Sequence, residues 1–130
     1  GVQRINQRFK DATMTPKLWK SITIRGRLIT NSIMKNILRA QTTSLDLPNC
    51  VWRAYQHEEI DMENFLILNP PKLTYLGLQE FGGNNGLAAT LIILSKELAT
   101  LDLSEADFTL LSCVLDKLDR TNHITLTYQS

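Results

Sequence analysis

The sequence predicts an α/β fold, a solenoid in which short parallel strands line one face and helices cover the other. Three observations carry this expectation. One phrase recurs along the 130 residues: Leu73-x-x-Leu76-x-Leu78-x-x-Phe81 in LTYLGLQEF, with Leu45, Leu47 and Cys50 in SLDLPNC, Leu98, Leu101, Leu103 and Ala106 in LATLDLSEA, Trp19, Ile22 and Ile24 in WKSITIRGR, and Ile124 and Leu126 in HITLTYQS. The phrases are regularly spaced, with Ile22, Leu45, Leu76, Leu101 and Ile124 separated by 23, 31, 25 and 23 residues. Between successive phrases lies a segment with helical periodicity. A strand with two or three inward leucines cannot bury them alone, whereas stacked units share one continuous core.

The phrase is the strand half of a leucine-rich repeat, LxxLxLxxN/C, whose units run about 20–29 residues. Taken in order, residues 2–15 read as a helix, because Val2, Ile5 and Phe9 fall on one face of a 3.6-residue period. Thr15-Pro16 ends it, since the residue before proline is pushed out of the helical region. Residues 28–41 read as the first connecting helix, with Ile33, Ile37 and Leu38 as its stripe and Thr30 or Asn31 as its cap. Residues 51–72 form the longest connection, with a looped start and a helix near Glu59 to Leu68 that carries Ile60, Phe65, Leu66 and Leu68 as apolar positions. Asn69-Pro70-Pro71 stops it. GGNNG at 82–86 reads as a flexible turn, followed by a helix from Leu87 to Glu97. Residues 107–118 give the last helix, lined by Leu110, Leu111, Val114, Leu115 and Leu118, with Ser104 and Asp107 as a possible capping box. Strand followed by helix, repeated, implies crossover connections and a parallel sheet.

By length this is one domain, and its 43% apolar and 21% charged residues are those of an ordinary globular chain. No apolar run is long enough to span a membrane. No signal peptide is visible, because the polar, basic N-terminus has no apolar core segment. Gly1 at the start and the direct run of the last strand into Tyr128-Gln129-Ser130, without a polar cap, read as marks of a fragment. The two cysteines, Cys50 and Cys113, are too few and too far apart for a disulfide framework and read as buried thiols of a cytoplasmic or nuclear protein. The net charge of +1 hides an asymmetry. Residues 1–39 hold nine Lys/Arg against Asp11 alone, and the remainder holds five against twelve, so the two parts carry +8 and −7. Such a split predicts different neighbours for the two ends.

Several chemistries are weakly suggested and better explained otherwise. GGNNG sits where phosphate loops sit but ends in Leu87-Ala88 in place of Lys-Ser/Thr. Cys50 fills the repeat's own N/C slot, and His57 lies beside Glu58 and Glu59, so a thiol–imidazole pair is not expected. The acids Glu58, Glu59, Asp61 and Glu63 lack EF-hand spacing and suit a solvated helix start. The basic N-terminal third is not interleaved with exposed aromatics, because Phe9 and Trp19 are needed for packing, so nucleic acid is not expected.

One stretch carries a family resemblance. VQRINQRFKDATMTPKLWKSITI resembles the C-terminal half of an F-box motif running into its first leucine-rich repeat. The matching positions are Val2, Ile5, Arg8, Phe9, Pro16, Leu18 and Trp19, and the Pro-x-Leu-Trp phrase is the most specific part. The N-terminal half of the motif, with its Leu-Pro start, is absent. The resemblance implies an F-box remnant over residues 1–20 and about five leucine-rich units over 21–130. It further implies the substrate-recognition subunit of an SCF-type cullin–RING ubiquitin ligase. In that family the F-box docks on the small acidic adaptor, for which Val2, Arg4 and Arg8 are the candidates here, and the repeats hold a protein substrate. No catalytic residue, metal, cofactor, nucleic acid or membrane is implied, and the expected compartment is cytoplasm or nucleus. The alternative is a leucine-rich interaction scaffold with no ubiquitin role.

Alternation along each strand then predicts the partner surface. With leucines inward, the outward positions are Ser21, Thr23, Arg25; Ser44, Asp46, Pro48; Tyr75, Gly77, Gln79; Thr100, Asp102, Ser104; and His123, Thr125, Thr127. From these, Arg25, Asp46, Tyr75, Gln79, Asp102, Ser104 and Thr125 are the candidate contacts. Gly77 is expected to leave a notch between Asp46 and Asp102. Trp19 is expected to seal the stack against Ile5 and Phe9.

Overall fold

A computed structural model describes residues 20–118 and 123–129. The helix expected over 2–15, the Pro16-to-Trp19 phrase and the adaptor candidates Val2, Arg4 and Arg8 lie outside the described residues. Within them the chain is α/β, with parallel strands in two sheets and four α-helices.

The first sheet contains β1 (Ser21–Thr23), β3 (Ser44–Asp46), β5 (Tyr75–Gly77), β7 (Thr100–Asp102) and β8 (Thr125–Thr127), in that order and all parallel. Its central column is Ile22, Leu45, Leu76, Leu101 and Leu126, each paired with the next. The fifth member corrects the expected register: Leu126, not Ile124, stands beside Leu101. The ladder continues past the strands through the Ile24, Leu47, Leu78 and Leu103 amides, which donate to the Asp46, Gly77, Asp102 and Thr127 carbonyls at 2.9, 2.8, 2.7 and 2.7 Å. Next come the Gly26, Asn49, Glu80 and Glu105 amides, donating to Pro48, Gln79, Ser104 and Gln129 at 2.9, 2.7, 2.9 and 2.6 Å. All four of these residues have positive φ, at 64, 56, 53 and 58°. The same left-handed turn therefore closes each of these four units, whether or not the residue there tolerates it well.

That turn sets up a second sheet absent from the expected pattern. Seven residues after the first position of β1, β3 and β5 begin β2 (Leu28–Ile29), β4 (Val51–Trp52) and β6 (Gly82–Gly83), parallel and in register. Residues 28–29, expected to begin a helix, and 82–83, expected to form a turn, are thus strand. Gly83 has φ +104°, and a Cβ there would run into the Trp52 carbonyl oxygen and approach the Trp52 carbonyl carbon and amide nitrogen to 2.8 Å. Only glycine lets the backbones approach this closely.

The helices are α1 (Asn31–Arg39), α2 (Glu59–Leu68, after a 3-10 turn at Gln56–Glu58), α3 (Asn85–Leu94) and α4 (Phe108–Lys117). Their caps are local in origin. Thr30 Oγ1 accepts from the Ile33 amide at 3.3 Å, Asn84 Oδ1 from Leu87 at 2.9 Å and Asp107 Oδ1 from Thr109 at 2.9 Å. Asp107 is thus itself the cap of α4, and Ser104 is part of the strand ladder. Asn31 serves another purpose: its Oδ1 accepts from the fully buried Trp52 Nε1 at 2.8 Å.

One core runs through all units, from Ile29, Met34 and Ile37 through Trp52, Met62 and Leu66 to Leu91, Leu110 and Val114. Leu115, expected on the apolar side of the last helix, is instead 55% exposed, and of the apolar positions of α2, Ile60 and Leu68 are 72 and 79% exposed. Lys35 links α1 to α2 by an ion pair with Asp61 at 2.7 Å, and Lys35 and Arg39 both lie over the Phe65 ring. Among the described residues no helix is long and apolar enough to cross a membrane.

Candidate functional site: the open face of the first sheet

The leucine column of the first sheet faces the helices, so the residues on either side of it face outward. One outward column is Ser21, Ser44, Tyr75, Thr100 and Thr125; the next is Thr23, Asp46, Gly77, Asp102 and Thr127. The corrected register moves Thr125 beside Thr100, and Thr127 takes the place beside Asp102. A third row follows the strands. In it Arg25, Gln79 and Gln129 are exposed, whereas Pro48 and Ser104 are buried. Ser104 is 8% exposed and offers a partner little surface.

The centre of the face is built around Gly77. A Cβ there would collide with Asp46 Oδ1 and come within 3.0 Å of the Tyr75 hydroxyl oxygen. The space expected to be an open notch is therefore taken by the Asp46 carboxylate, which leans across the glycine from the neighbouring strand. Asp102 stands on the other side, its Oδ1 accepting the Ser104 amide at 2.9 Å. Asp46, Tyr75, Gly77 and Asp102 form one group, with Arg25 as a neighbouring cation.

The electrostatics follow from that crowding. Burial raises the Asp46 carboxyl above its ordinary value, Arg25 opposes the shift and Asp102 adds to it. Burial also raises the Tyr75 hydroxyl, followed by the charges of Asp46 and Asp102. Each group senses the others because water is partly excluded between them.

No family model, no curated protein and no solved structure matches the chain. The remaining sequence candidates have local roles. The Cys50 thiol is buried and donates to the Ile24 carbonyl at 3.1 Å, and burial pushes it above the usual cysteine range, which works against thiolate chemistry. His57 is exposed and stacks on Tyr55, with ring centroids 5.9 Å apart. Of the acids, Asp61 pairs with Lys35, and Glu59 Oε1 accepts from Asn84 Nδ2 at 2.7 Å, tying α2 to the cap of α3. Among the described residues no three His, Cys, Asp or Glu side chains come together as a metal site.

Sequence reasoning missed one feature at the rim of the face. Glu80 and Glu105 occupy the same left-handed slot in adjacent units, and their carboxyls hydrogen-bond, which raises Glu105 above the ordinary glutamate range. Gly26 and Asn49 in the matching slots were the readable signal, because those two residues tolerate positive φ best.

Proposed function

We propose that the chain is a leucine-rich-repeat solenoid that recognises a protein partner across the concave face of its first sheet. We read it as the substrate-recognition subunit of an SCF-type cullin–RING ubiquitin ligase, in the cytoplasm or nucleus. The observation that supports recognition is the in-register ladder of five parallel strands, which repeats one outward row of side chains at a strand's spacing. Such a row offers an elongated partner segment a repeated set of contacts, and solenoids commonly bind along it. The ligase role rests on the resemblance of Val2, Ile5, Arg8, Phe9, Pro16, Leu18 and Trp19 to the F-box. In that role the F-box side holds the acidic adaptor, the strand face holds the substrate, and ubiquitin transfer takes place elsewhere in the assembly.

The test is expression of the complete reading frame together with the adaptor. Co-purification that is lost on Val2→Asp, or on Arg4→Glu with Arg8→Glu, supports the ligase role. A complete product that never retains the adaptor leaves an interaction scaffold without a ubiquitin role.

A further inference from the structure

We propose that the strand face selects partner segments carrying a lysine or arginine, seated between Asp46 and Asp102 above Gly77. This rests on the reading of the face as a recognition surface and names what it recognises.

The occupant is argued from charge complementarity. Asp46 and Asp102 lie two strands apart in one column, so their backbones are roughly 10 Å apart. That separation rules out a shared proton between undistorted side chains. Asp46 shortens the gap by leaning over Gly77, a conformation that any larger residue at 77 would block. The Asp46 carboxylate thereby lies over the strand between its own and that of Asp102, with the Tyr75 hydroxyl beside the same glycine. Both are only half-buried, so a ligand can reach them. The rest of the two outward columns, Ser21, Thr23, Ser44, Thr100, Thr125 and Thr127, is small and uncharged, and leaves room for a backbone to lie along the row. Arg25 is the cation that opposes Asp46, from the exposed third row at the β1 end. A partner's Lys or Arg provides a second countercharge where the two acids repel.

The selection is modest in both affinity and discrimination. A partly solvated ion pair is weak, so removing either carboxylate's charge lowers binding by up to roughly fivefold. Rising salt slows association more than it speeds dissociation.

The experiment pans a random linear peptide pool against the 130-residue chain at low salt. Peptides that bind at the face are identified by loss of binding to Thr23→Trp or Thr127→Trp, two exposed outward positions. Asp46→Asn and Asp102→Asn remove charge while keeping shape, and Asn at 102 still accepts the Ser104 amide. The proposal expects face-binding peptides enriched in Lys or Arg over the starting pool, each weakened severalfold by either Asn variant and by salt. Face-binding peptides without that enrichment, or indifferent to both Asn variants, overturn the proposal and leave the recognition surface intact. If no selected peptide responds to the Trp variants, the recognition reading falls with it.

Discussion

Gly83→Ala should be among the most damaging single changes in this chain, and its cost can be worked from the backbone. Two terms add. Gly83 has φ +104°, where L residues are strained by about 1–3 kcal/mol. Its new Cβ would meet the Trp52 backbone and not a side chain that can swing away. Trp52 is held in place because its carbonyl accepts the Asn84 amide at 2.9 Å and its ring is fully buried. Overpacking against an immobile partner costs a further 1–3 kcal/mol or so. The sum, about 2–6 kcal/mol, is a large part of the roughly 5–15 kcal/mol that holds a domain together. Gly26→Ala is the control. It too has positive φ, +64°, but nothing lies within 4 Å of its added Cβ, so it should cost only about 1–2 kcal/mol. Urea unfolding followed by circular dichroism gives both values, provided the m-value is unchanged. A Gly83→Ala protein as stable as Gly26→Ala would mean that β4 and β6 do not pair as described.

Three further expectations follow. Asn31→Ala strands the buried Trp52 indole N–H and should cost about 1–3 kcal/mol; with Trp52→Phe in a double-mutant cycle the effects should be non-additive, and simple additivity would show the bond to be unimportant. Asn84→Ala removes the α3 cap and the Glu59 partner together and should cost about 1–2 kcal/mol, with faster hydrogen exchange at Leu87; unchanged exchange would argue against the cap. Glu105, raised by the neighbouring Glu80, binds its proton more tightly folded than unfolded, so its contribution is present in acid and is lost as pH rises through the raised value. The stability gap between the parent and Glu105→Gln should therefore shift against the parent as pH increases above the ordinary glutamate range, and a pH-independent gap would show that the two carboxyls do not share a proton.

The central leucine column was legible from spacing because Leu45, Leu76 and Leu101 sit in an unbroken phrase that only one register satisfies. The last strand was not. Ile124-Thr125-Leu126 alternates with period two, so a slip of two residues leaves the inward and outward pattern unchanged, and only the pairing of Thr125 with Thr100 decides it. The second sheet was invisible because two-residue strands have no period, and Gly82-Gly83 carries the composition of a turn. The exposure of Ile60 and Leu68 was not legible because α2 is apolar on several sides, so its sequence does not say which side is covered. The link from Asn31 to Trp52 spans 21 residues and leaves no local trace. Of the site, Asp46, Tyr75 and Asp102 were found by alternation alone. That Asp46 would fold over Gly77 depends on side-chain geometry, which alternation does not specify.

Whether a partner sits on the outward strand face is the most direct test of the proposed function. Asp46→Lys with Asp102→Lys reverses the charge at its centre, with both side chains outward and only half-buried, so the fold should persist by circular dichroism. Partners captured from cell extract by the parent and by this variant are then compared by mass spectrometry across a salt series. The parent's salt-sensitive partners should be lost from the variant. The same partners, retained with the same salt dependence, would contradict the proposed function and place recognition away from this face.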